Sequence, residues 1–565
     1  MSQRVVLAVA VAGLALSGFS ATSPDKMATS PTSPTSPTSP TSRAAATVVP
    51  PVPTLARPVR PNIVLILTDD MTRADLHSMP GVNRVLTGQG LRFTRAMVNV
   101  SLCCPSRTTI LRGQYAHNTG VLTNGGNNGG FEHAYRRKVE RSTIATWLQR
   151  AGYRTALMGK YLNGYPNGAP AGYQPPGWTD WVSPIKGSPY DEYGYRLDVN
   201  GHHEDHFQSD ADYGTNVYFR HARSFIAASQ RAHRPFFLDL ALYAPHRPAT
   251  PAPMDVGSEA GIALPRTPSF DERDLRDKPR WLQDQPRLTR DVIGRSRQLF
   301  QNRRESLRAV DRGVVRLVDQ LAQTNQLDHT YIVFTSDNGF HQGQHRLPAG
   351  KQTAFEEDIR IPLVVRGPGV RVATTDSSLV GNVDLAPTFA ALAGVEAPKF
   401  VDGRSLVGEL RGHRDSHPRR MWLLEHWRKH GPLLRDSQLP LEPPDNDDTE
   451  PIPLRRPRHP GISDQEHLPN YRGFRTAHMT YVEYVTGERE LYDLRIDPNE
   501  LVNEYSRSTI GTRRRFHRAL RSLAACSARR CRAVESRSPG PIRWRNGRAP
   551  APPVSLRARG AAPRT

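Results

Sequence analysis

The chain has 565 residues, a formal net charge of +22 and only four cysteines. That length is sufficient for one large domain with a smaller one, and it allows a sizeable buried core. Four cysteines in so long a chain exclude a disulfide-dense scaffold.

The positive charge is concentrated at the C-terminus. Residues 512–565 contain fifteen Arg and one Glu, a net charge of +14, so the rest of the chain carries +8. The stretch after Arg532 is rich in Pro, Ala and Arg, and we expect a disordered tail over 533–565. Such a tail could bind polyanions, although a solvated tail is the simpler interpretation. No spacing typical of a zinc finger or another nucleic-acid-binding motif occurs.

The N-terminus has the pattern of a secretory signal. Arg4 precedes a short apolar run from Val5 to Leu16, and small residues follow it. We therefore predict a signal peptide at 1–21 and a secreted protein; a buried N-terminal helix is the alternative. The run is too short to span a bilayer, and no other segment is typical of a membrane span. Thr/Ser/Pro repeats predict a disordered linker over 22–60.

Apolar strands alternate with amphipathic helices from Asn62 to about Gly394. "NIVLILTDD", "RPFFLDLALYAPH", "TYIVFTSDNG" and "RIPLVVRGPG" are predicted buried strands, the second of them ending at His246. This pattern predicts an α/β fold with a large, mostly parallel sheet flanked by helices, over 61–410. "YRGFRTAHMTYVEYVTGERELYDL" alternates like an antiparallel hairpin. It predicts a small C-terminal α+β subdomain over 411–532, which also contains a long Pro/Asp-rich surface loop.

Polar side chains follow several of these strands. Asp69 and Asp70 follow the first strand, Lys160 another, and Asp337 and Asn338 a later one. In parallel α/β sheets, ligands bind outside the carboxyl ends of the strands. Three carboxylates and one amide oxygen form a hard ligand set, which suits Ca²⁺ or Mg²⁺ rather than zinc.

Two adjacent cysteines stand in "LCCPSRTTILRG". Pro105 suits the first position of a helix, which places Cys103 and Cys104 just before a helix N-terminus, where negative charge is favoured. Both could be buried thiols, or both could pair with Cys526 and Cys531. The last two cysteines, in "CSARRC", are also spaced to close on each other.

"CCPSR" resembles the sulfatase signature Cys-x-Pro-Ser-Arg, whose first cysteine is converted to formylglycine. "NIVLILTDD", "GKY", "TSDNGFHQGQHRLPAGK", "IPLVVRGPG" and "ELYDLRIDPNELVNE" match further family motifs in the expected order, over about Asn62 to Cys531. The chain most resembles the N-acetylglucosamine-6-sulfatase branch, through "GKYLN", "DNGFHQGQ" and "CSARRC". The resemblance implies an alkaline-phosphatase-like fold and hydrolysis of sulfate monoesters.

It also implies roles for single residues. Cys103 would become the formylglycine nucleophile, held by Arg107. Lys160, His246 and Lys351 would contact the sulfate and the leaving oxygen. The metal would be Ca²⁺, with Mg²⁺ less expected, and its ligands would be Asp69, Asp70, Cys103, Asp337 and Asn338. A hydrated aldehyde has one hydroxyl to attack sulfur and a second to expel sulfate afterwards, and such a reaction requires on the order of 20 kcal/mol of transition-state stabilisation.

One motif departs from the family pattern. Many sulfatases have His two residues after the lysine of "GK", where this chain has Leu162, followed by Asn163. His246 is therefore our first choice for the general base. His341 and His345 are alternatives for that role, and we predict that they bind substrate together with Asn163.

The sequence thus predicts a secreted, calcium-dependent sulfatase that acts on sulfated sugars, with aryl sulfates as surrogate substrates. Its maturation would require a formylglycine-generating enzyme. A phosphomonoester or phosphonate-ester hydrolase on the same scaffold is the first rival, because the same ligand set can hold a phosphoryl group. A non-catalytic binder of acidic polymers, acting through the Arg-rich tail, is the second.

Overall fold

The chain forms one large and one small β-sheet in residues 60–413, 415–428 and 468–547, which are the residues that the computed structural model describes. The strands of the large sheet are β1 (Asn62–Thr68), β2 (Leu91–Met97), β3 (Arg154–Gly159), β4 (Asp180–Gly187), β5 (Tyr195–Val199), β6 (His202–His206), β7 (Phe236–Ala241), β8 (Thr330–Ser336), β9 (Arg360–Ile361), β10 (Leu363–Arg366) and β11 (Thr374–Gly381). The small sheet has β12 (Trp422–His426), β13 (Tyr471–Arg475), β14 (Met479–Tyr484) and β15 (Arg489–Asp493).

The α-helices surround these sheets. They are α1 (Pro80–Val85), α2 (Cys103–Arg112), α3 (Ala116–Thr119), α4 (Gly130–Arg136), α5 (Ile144–Arg150), α6 (Gly214–Arg231), α7 (Arg280–Gln283), α8 (Arg290–Gln323), α9 (Glu356–Ile359), α10 (Leu385–Leu392), α11 (Val407–Leu410), α12 (Ile510–Ala524) and α13 (Arg529–Glu535). Within the described ranges, no helix is both long and apolar enough to cross a membrane.

The large sheet has the strand order β11-β2-β10-β8-β1-β7-β3-β4-β5-β6, and β9 pairs with β2. Its centre is parallel, because β8, β1, β7 and β3 all run in the same direction. Antiparallel pairing occurs around β10 and at the β4-β5-β6 edge. The predicted class is confirmed: an α/β protein with a mixed, mostly parallel sheet and a separate antiparallel sheet near the C-terminus.

Strand β1 shows why the central strands are continuously apolar. Ile63, Leu65 and Leu67 pack into a core with residues of α2, α5 and α10. Val64 and Ile66 point the other way and pack into a second core with residues of α6 and α8. Because both faces of the sheet are covered by helices, every position of the strand is buried and the alternation of polar and apolar residues disappears.

The segment predicted as an antiparallel hairpin forms three strands of the small sheet, β13, β14 and β15. The turn between β14 and β15 includes Gly487, whose φ of 91° lies in the left-handed region that favours glycine. Helix α12 covers this sheet, and Phe516 packs edge-on against Phe474 of β13. The long Pro/Asp-rich loop lies almost entirely outside the described residues, as do the signal peptide, residues 22–59 of the linker and residues 548–565 of the tail.

The predicted tail begins too early. Helix α13 continues past Arg532 to Glu535, whose carboxylate is buried against Arg419. Further along, the carbonyl of Arg543 accepts a hydrogen bond of 2.8 Å from the backbone N–H of Thr509. Residues 533–547 are therefore part of the folded chain, because buried pairing and backbone hydrogen bonds compensate for their polar composition.

Candidate active site

Four neighbouring parallel strands bring their carboxyl ends to one edge of the large sheet. Asp69 and Asp70 follow β1, Asp337 and Asn338 follow β8, and Lys160 follows β3. All five side chains are buried. The structure therefore brings together the strand-end residues that the sequence singles out. We call the three acids Asp69, Asp70 and Asp337, together with the neighbouring thiol of Cys103, the carboxylate cluster.

Cys103 enters this cluster from helix α2. The helix begins at Cys103 itself, with Leu102 as its N-cap, so Pro105 is the third helical residue rather than the first. The Cys103 Sγ lies 3.4 Å from Asp69 Oδ1, and Lys351 Nζ lies 2.8 Å from the same sulfur. Burial and the Asp69 carboxylate raise the pKa of the thiol well above its ordinary value.

The four cysteines fall into two kinds. Cys103 and Cys104 are free and buried. Cys526 and Cys531 form a disulfide, which closes the short loop between α12 and α13. The expected pairing within "CSARRC" is thus present, and a disulfide between the two cysteine pairs is not.

Each acid of the cluster is paired with a cation. Lys160 Nζ lies 2.6 Å from Asp69 Oδ2, and Lys351 Nζ lies 2.8 Å from Asp70 Oδ1. Burial opposes the ionisation of Asp69, but Lys160 and its cationic neighbours hold the pKa of that carboxyl well below its usual range. A fully buried, ionised carboxylate is the form that binds a cation most strongly.

Arg107 pairs with the remaining acid. Its Nε donates to Asp337 Oδ2 at 2.8 Å, and its Nη1 donates to the carbonyl of Lys160 at 3.0 Å. Burial, together with Asp69, raises the pKa of Asp337 to about 6. The two hydrogen bonds of Arg107 attach its guanidinium to residues at the ends of β8 and β3.

The cluster has the donor atoms that a hard cation needs. Ligand atoms of Asp69, Asp70, Cys103 and His246 all lie within 4.8 Å of one another. Asn338 Nδ2 donates to Asp70 Oδ1 at 2.6 Å, which leaves its Oδ1 buried with no hydrogen-bond partner. A buried amide oxygen without a donor is costly unless it binds a cation, so the residues present fit the predicted metal site.

His246 reaches the cluster by a route different from the predicted one. Strand β7 ends at Ala241, not at His246, and the chain turns before the histidine. The His246 Nδ1–H donates to the carbonyl of Arg247 at 2.6 Å, and Nε2 lies 3.7 Å from Asp70 Oδ2. The ring packs against Tyr190, with centroids 4.5 Å apart.

The three predicted substrate-binding residues lie in different places. Asn163 donates to the hydroxyl of Tyr190 at 3.4 Å, beside His246. The His341 Nδ1 contacts Asp358 at 2.9 Å, and its backbone N–H donates to the carbonyl of Gly350, next to Lys351. His345 lies outside the carboxylate cluster. Its Nδ1 lies within hydrogen-bond distance of Glu272 Oε2, at 2.6 Å, and its ring stacks on Phe355 with the ring centroids 3.8 Å apart.

Sequence reasoning missed two residues that support the site. The ring centroid of Tyr190 lies 4.7 Å from Lys160 Nζ, a cation–π contact. Arg303 donates at 2.7 Å to the carbonyl of Asp70 and at 2.9 Å to Asp75. Arg303 interrupts the apolar face of α8 one turn before Leu307, and an arginine in a buried helical stripe is a signal that could have identified it.

Comparison with known proteins identifies the family of this chain. The sulfatase family model matches residues 61–395, more than half of the chain. The chain belongs to the sulfatase family. Human N-acetylglucosamine-6-sulfatase is 32% identical over 496 residues, covering 85% of this chain and 87% of the relative.

Another relative of this sulfatase is much longer. An extracellular sulfatase Sulf-1 homologue of Caenorhabditis elegans is 38% identical over 373 residues, covering 65% of the chain but only 51% of the relative. The chain thus spans about half the length of that protein. A solved structure of a protein in complex with its substrate D-glucosamine-2-N,6-O-disulfate has a TM-score of 0.63 at 23% identity, covering 82% of this chain and 97% of that one. The likeness to this solved structure supports the alkaline-phosphatase-like fold.

Proposed function

We propose that this chain hydrolyses sulfate monoesters of sugars, with Cys103, converted to formylglycine, as the nucleophile. The observation that carries the proposal is the position of Cys103 at the start of α2, with its sulfur between Asp69 and Lys351. A nucleophile needs acidic and cationic groups within reach to activate it and to bind an anion. The carboxylate cluster and its three paired cations meet that need.

Formylglycine at position 103 would supply a hydrated aldehyde, with one hydroxyl to attack sulfur and a second to release sulfate. The residues around it have separable tasks. Arg107 fixes the nucleophile through its link to Asp337, while Lys160 and Lys351 stabilise charge on the sulfate oxygens. A preorganised donor of this kind contributes about 3–4 kcal/mol to the transition state.

Asp69, Asp70, Asp337 and Asn338, with the group at position 103, would hold a calcium ion, and the ion would polarise a bound sulfate oxygen. Asn338 Oδ1, buried without a donor, is the ligand that depends most on the ion. We expect a chelator to abolish turnover, and Ca²⁺ to restore it better than Zn²⁺, because the ligand oxygens are hard. Restoration by Zn²⁺ alone would contradict the calcium assignment.

In this proposal, His246 is the general base for the release of sulfate. Its Nδ1–H is committed to a backbone carbonyl, so Nε2 is the atom that faces the cluster. Leu162, which replaces the family histidine, is 3% exposed and packs in the core. It offers no polar atom, which leaves His246 as the nearest imidazole to Asp70 among the residues discussed.

A sulfated sugar, such as N-acetylglucosamine-6-sulfate, is the substrate class that the relatives favour. The deciding experiment compares turnover of that sugar, nitrophenyl sulfate and nitrophenyl phosphate by the mature protein. We expect hydrolysis of both sulfates and strong discrimination against the phosphate. A strong preference for phosphate would refute the proposal and favour the phosphomonoester rival.

Secretion belongs to the same proposal. The apolar run at Val5 to Leu16 and the extracellular sulfatase relatives support export, and maturation would require a formylglycine-generating enzyme that acts on the "CCPSR" motif. N-terminal sequencing of protein recovered from the culture medium tests this. A chain retained in the cell with Met1 intact would contradict it.

A further inference from the structure

Strand β7 contains a carboxyl group that the proposed mechanism does not use. Asp239 stands in the middle of "FFLDLA", is 3% exposed, and is in register with Leu65 of β1 and Leu157 of β3. Its Oδ1 is buried with no hydrogen-bond partner. An acid at the centre of an apolar sheet is costly, so its presence there calls for a physical reason.

The acid borders a small cavity directly behind the carboxylate cluster. Asp239, Arg107, Lys160 and Tyr161 are the titratable groups that line it, and leucine and isoleucine form the remainder of the wall. The volume open to the centre of a water molecule is about 10 Å³. That is about the space that one buried water requires, and the wall has polar groups to hold it.

One nitrogen of the Arg107 guanidinium takes part in an ion pair but makes no hydrogen bond. Its Nε and Nη1 are bonded to Asp337 and to the carbonyl of Lys160. Its Nη2 is buried without a hydrogen bond and lies 3.7 Å from Asp69 Oδ2. Asp239, with one oxygen that makes no hydrogen bond, and Arg107, with one nitrogen that makes none, thus line the same cavity.

We propose that Asp239 is a positioning residue for Arg107, acting on its Nη2 through one buried water. When ionised, Asp239 is a third carboxylate near the Arg107 guanidinium, after Asp337 and Asp69. It attracts the guanidinium towards the cavity and offsets the positive charge of Arg107 near Cys103. When protonated, Asp239 leaves Arg107 to Asp337, Asp69 and the reacting group. The inference rests on the proposed function, in which Arg107 holds the nucleophile.

The two forms of Asp239 exchange in an accessible pH range. Burial raises the pKa of Asp239 to about 7, although Arg107 lowers it in part. Lys160 and Tyr161 are the other titratable groups facing the cavity. We therefore expect kcat/KM to fall as pH rises through the neutral range, by about tenfold one pH unit above that pKa.

The test is the pH profile of kcat/KM on nitrophenyl sulfate for the wild type, Asp239→Asn and Asp239→Leu. Both variants should lack the alkaline limb near pH 7 that the wild type shows. Glu192→Gln is the matched control, because burial also raises the pKa of Glu192 to about 7 but its carboxylate bonds to Thr215. The control should keep the wild-type limb. An unchanged limb in both Asp239 variants would overturn the inference.

Thermal unfolding provides a readout independent of turnover. Between about pH 4 and pH 7, Asp239 is protonated in the folded protein but ionised in the unfolded chain. The unfolded chain thus binds fewer protons, so the stability of the wild type should fall as pH rises through this range. Asp239→Asn should flatten this part of the Tm profile. A wild type inactive on sulfate esters at every pH would refute the proposed function, whereas an active wild type with identical Tm and kcat/KM profiles in Asp239→Asn would refute this inference alone.

Discussion

The carboxylate cluster and a second buried cluster, around Arg419, use the same kinds of groups but differ in how completely those groups are paired. In the Arg419 cluster, Asp384 and Glu535 surround a guanidinium whose nitrogens all have partners. Both oxygens of Asp384 accept further backbone N–H donors, from Gly381 and Arg404. In the carboxylate cluster, Asn338 Oδ1 and Arg107 Nη2 have no hydrogen-bond partner.

This difference supports the proposed ligand site at the carboxylate cluster. Buried ion pairs with complete hydrogen bonding hold elements together, here α13 and the chain entering β12 against the large sheet. A buried polar atom without a hydrogen-bond partner is unusual, and it is a place where a water, an ion or a ligand can bind. Charge and burial alone do not distinguish the two clusters, whereas the unpaired Oδ1 of Asn338, an oxygen that can bind a cation, does.

The largest expected effect comes from breaking the complete cluster. Arg419→Met leaves Asp384 buried without its cation and leaves Glu535 with Arg404 as its remaining cation, and we expect a loss of about 3–5 kcal/mol of unfolding free energy. Urea denaturation measures it. Activity per folded molecule should stay within about twofold, because Arg419 does not touch the carboxylate cluster. A fully stable Arg419→Met would contradict the structural role of this cluster.

The next largest effect is on turnover. Lys351→Ala removes the ammonium that lies between Asp70 and Cys103, and we expect kcat/KM to fall by about 10²–10³, or about 3–4 kcal/mol. The exposed Lys186→Ala serves as the control and should leave kcat/KM unchanged. Lys351→Ala should lose less Tm than Arg419→Met, because the proposed calcium ion would still pair with the buried Asp70. A loss of Tm as large as that of Arg419→Met, with a loss of kcat/KM explained by unfolding, would mean that Lys351 is structural.

A third prediction concerns pH and the region around the small sheet. His117 bonds to Glu425 of β12 at 2.9 Å and, despite its burial, Glu425 raises the pKa of the imidazole to about 9. A raised histidine pKa stabilises the fold fully below pH 6.5, and the stabilisation is lost as pH rises through 9. It amounts to about 3 kcal/mol. His117→Asn should therefore lower Tm at pH 6 but not at pH 10; an equal loss at both would contradict the assignment.

The smallest effect is that of the disulfide. Its loop is short, so replacing Cys526 and Cys531 with serine should cost about 2 kcal/mol of unfolding free energy. Activity at moderate temperature should be unchanged. The measurement is urea unfolding of the double variant against the oxidised wild type. A change in kcat, rather than in stability, would link this loop to the carboxylate cluster.

The sequence predicted those features that depend on local pattern and on simple topology. Continuous apolar runs identified the central strands, and parallel pairing brings Asp69, Asp337 and Lys160 to one edge. The end of β7, the contacts of Tyr190 and the folded segment 533–547 were not predicted. They depend on turns and packing between segments far apart in the chain, which no local periodicity encodes.

Asp239 shows this limit most clearly. In the sequence it is one polar residue in an apolar strand, a pattern that does not reveal what lies above the sheet. Only the register of β7 between β1 and β3, and the path of α2 over it, place the acid behind Arg107. Its relation to the site is a property of three strands and a helix together.

The central claim is that position 103 is the nucleophile after conversion, and mass spectrometry of the peptide containing it tests this most directly. Protein from the native host should contain, at position 103, an aldehyde in place of the thiol-bearing side chain, whereas Cys104 should retain its thiol. An intact thiol at Cys103 throughout a preparation that hydrolyses sulfate esters would contradict the account.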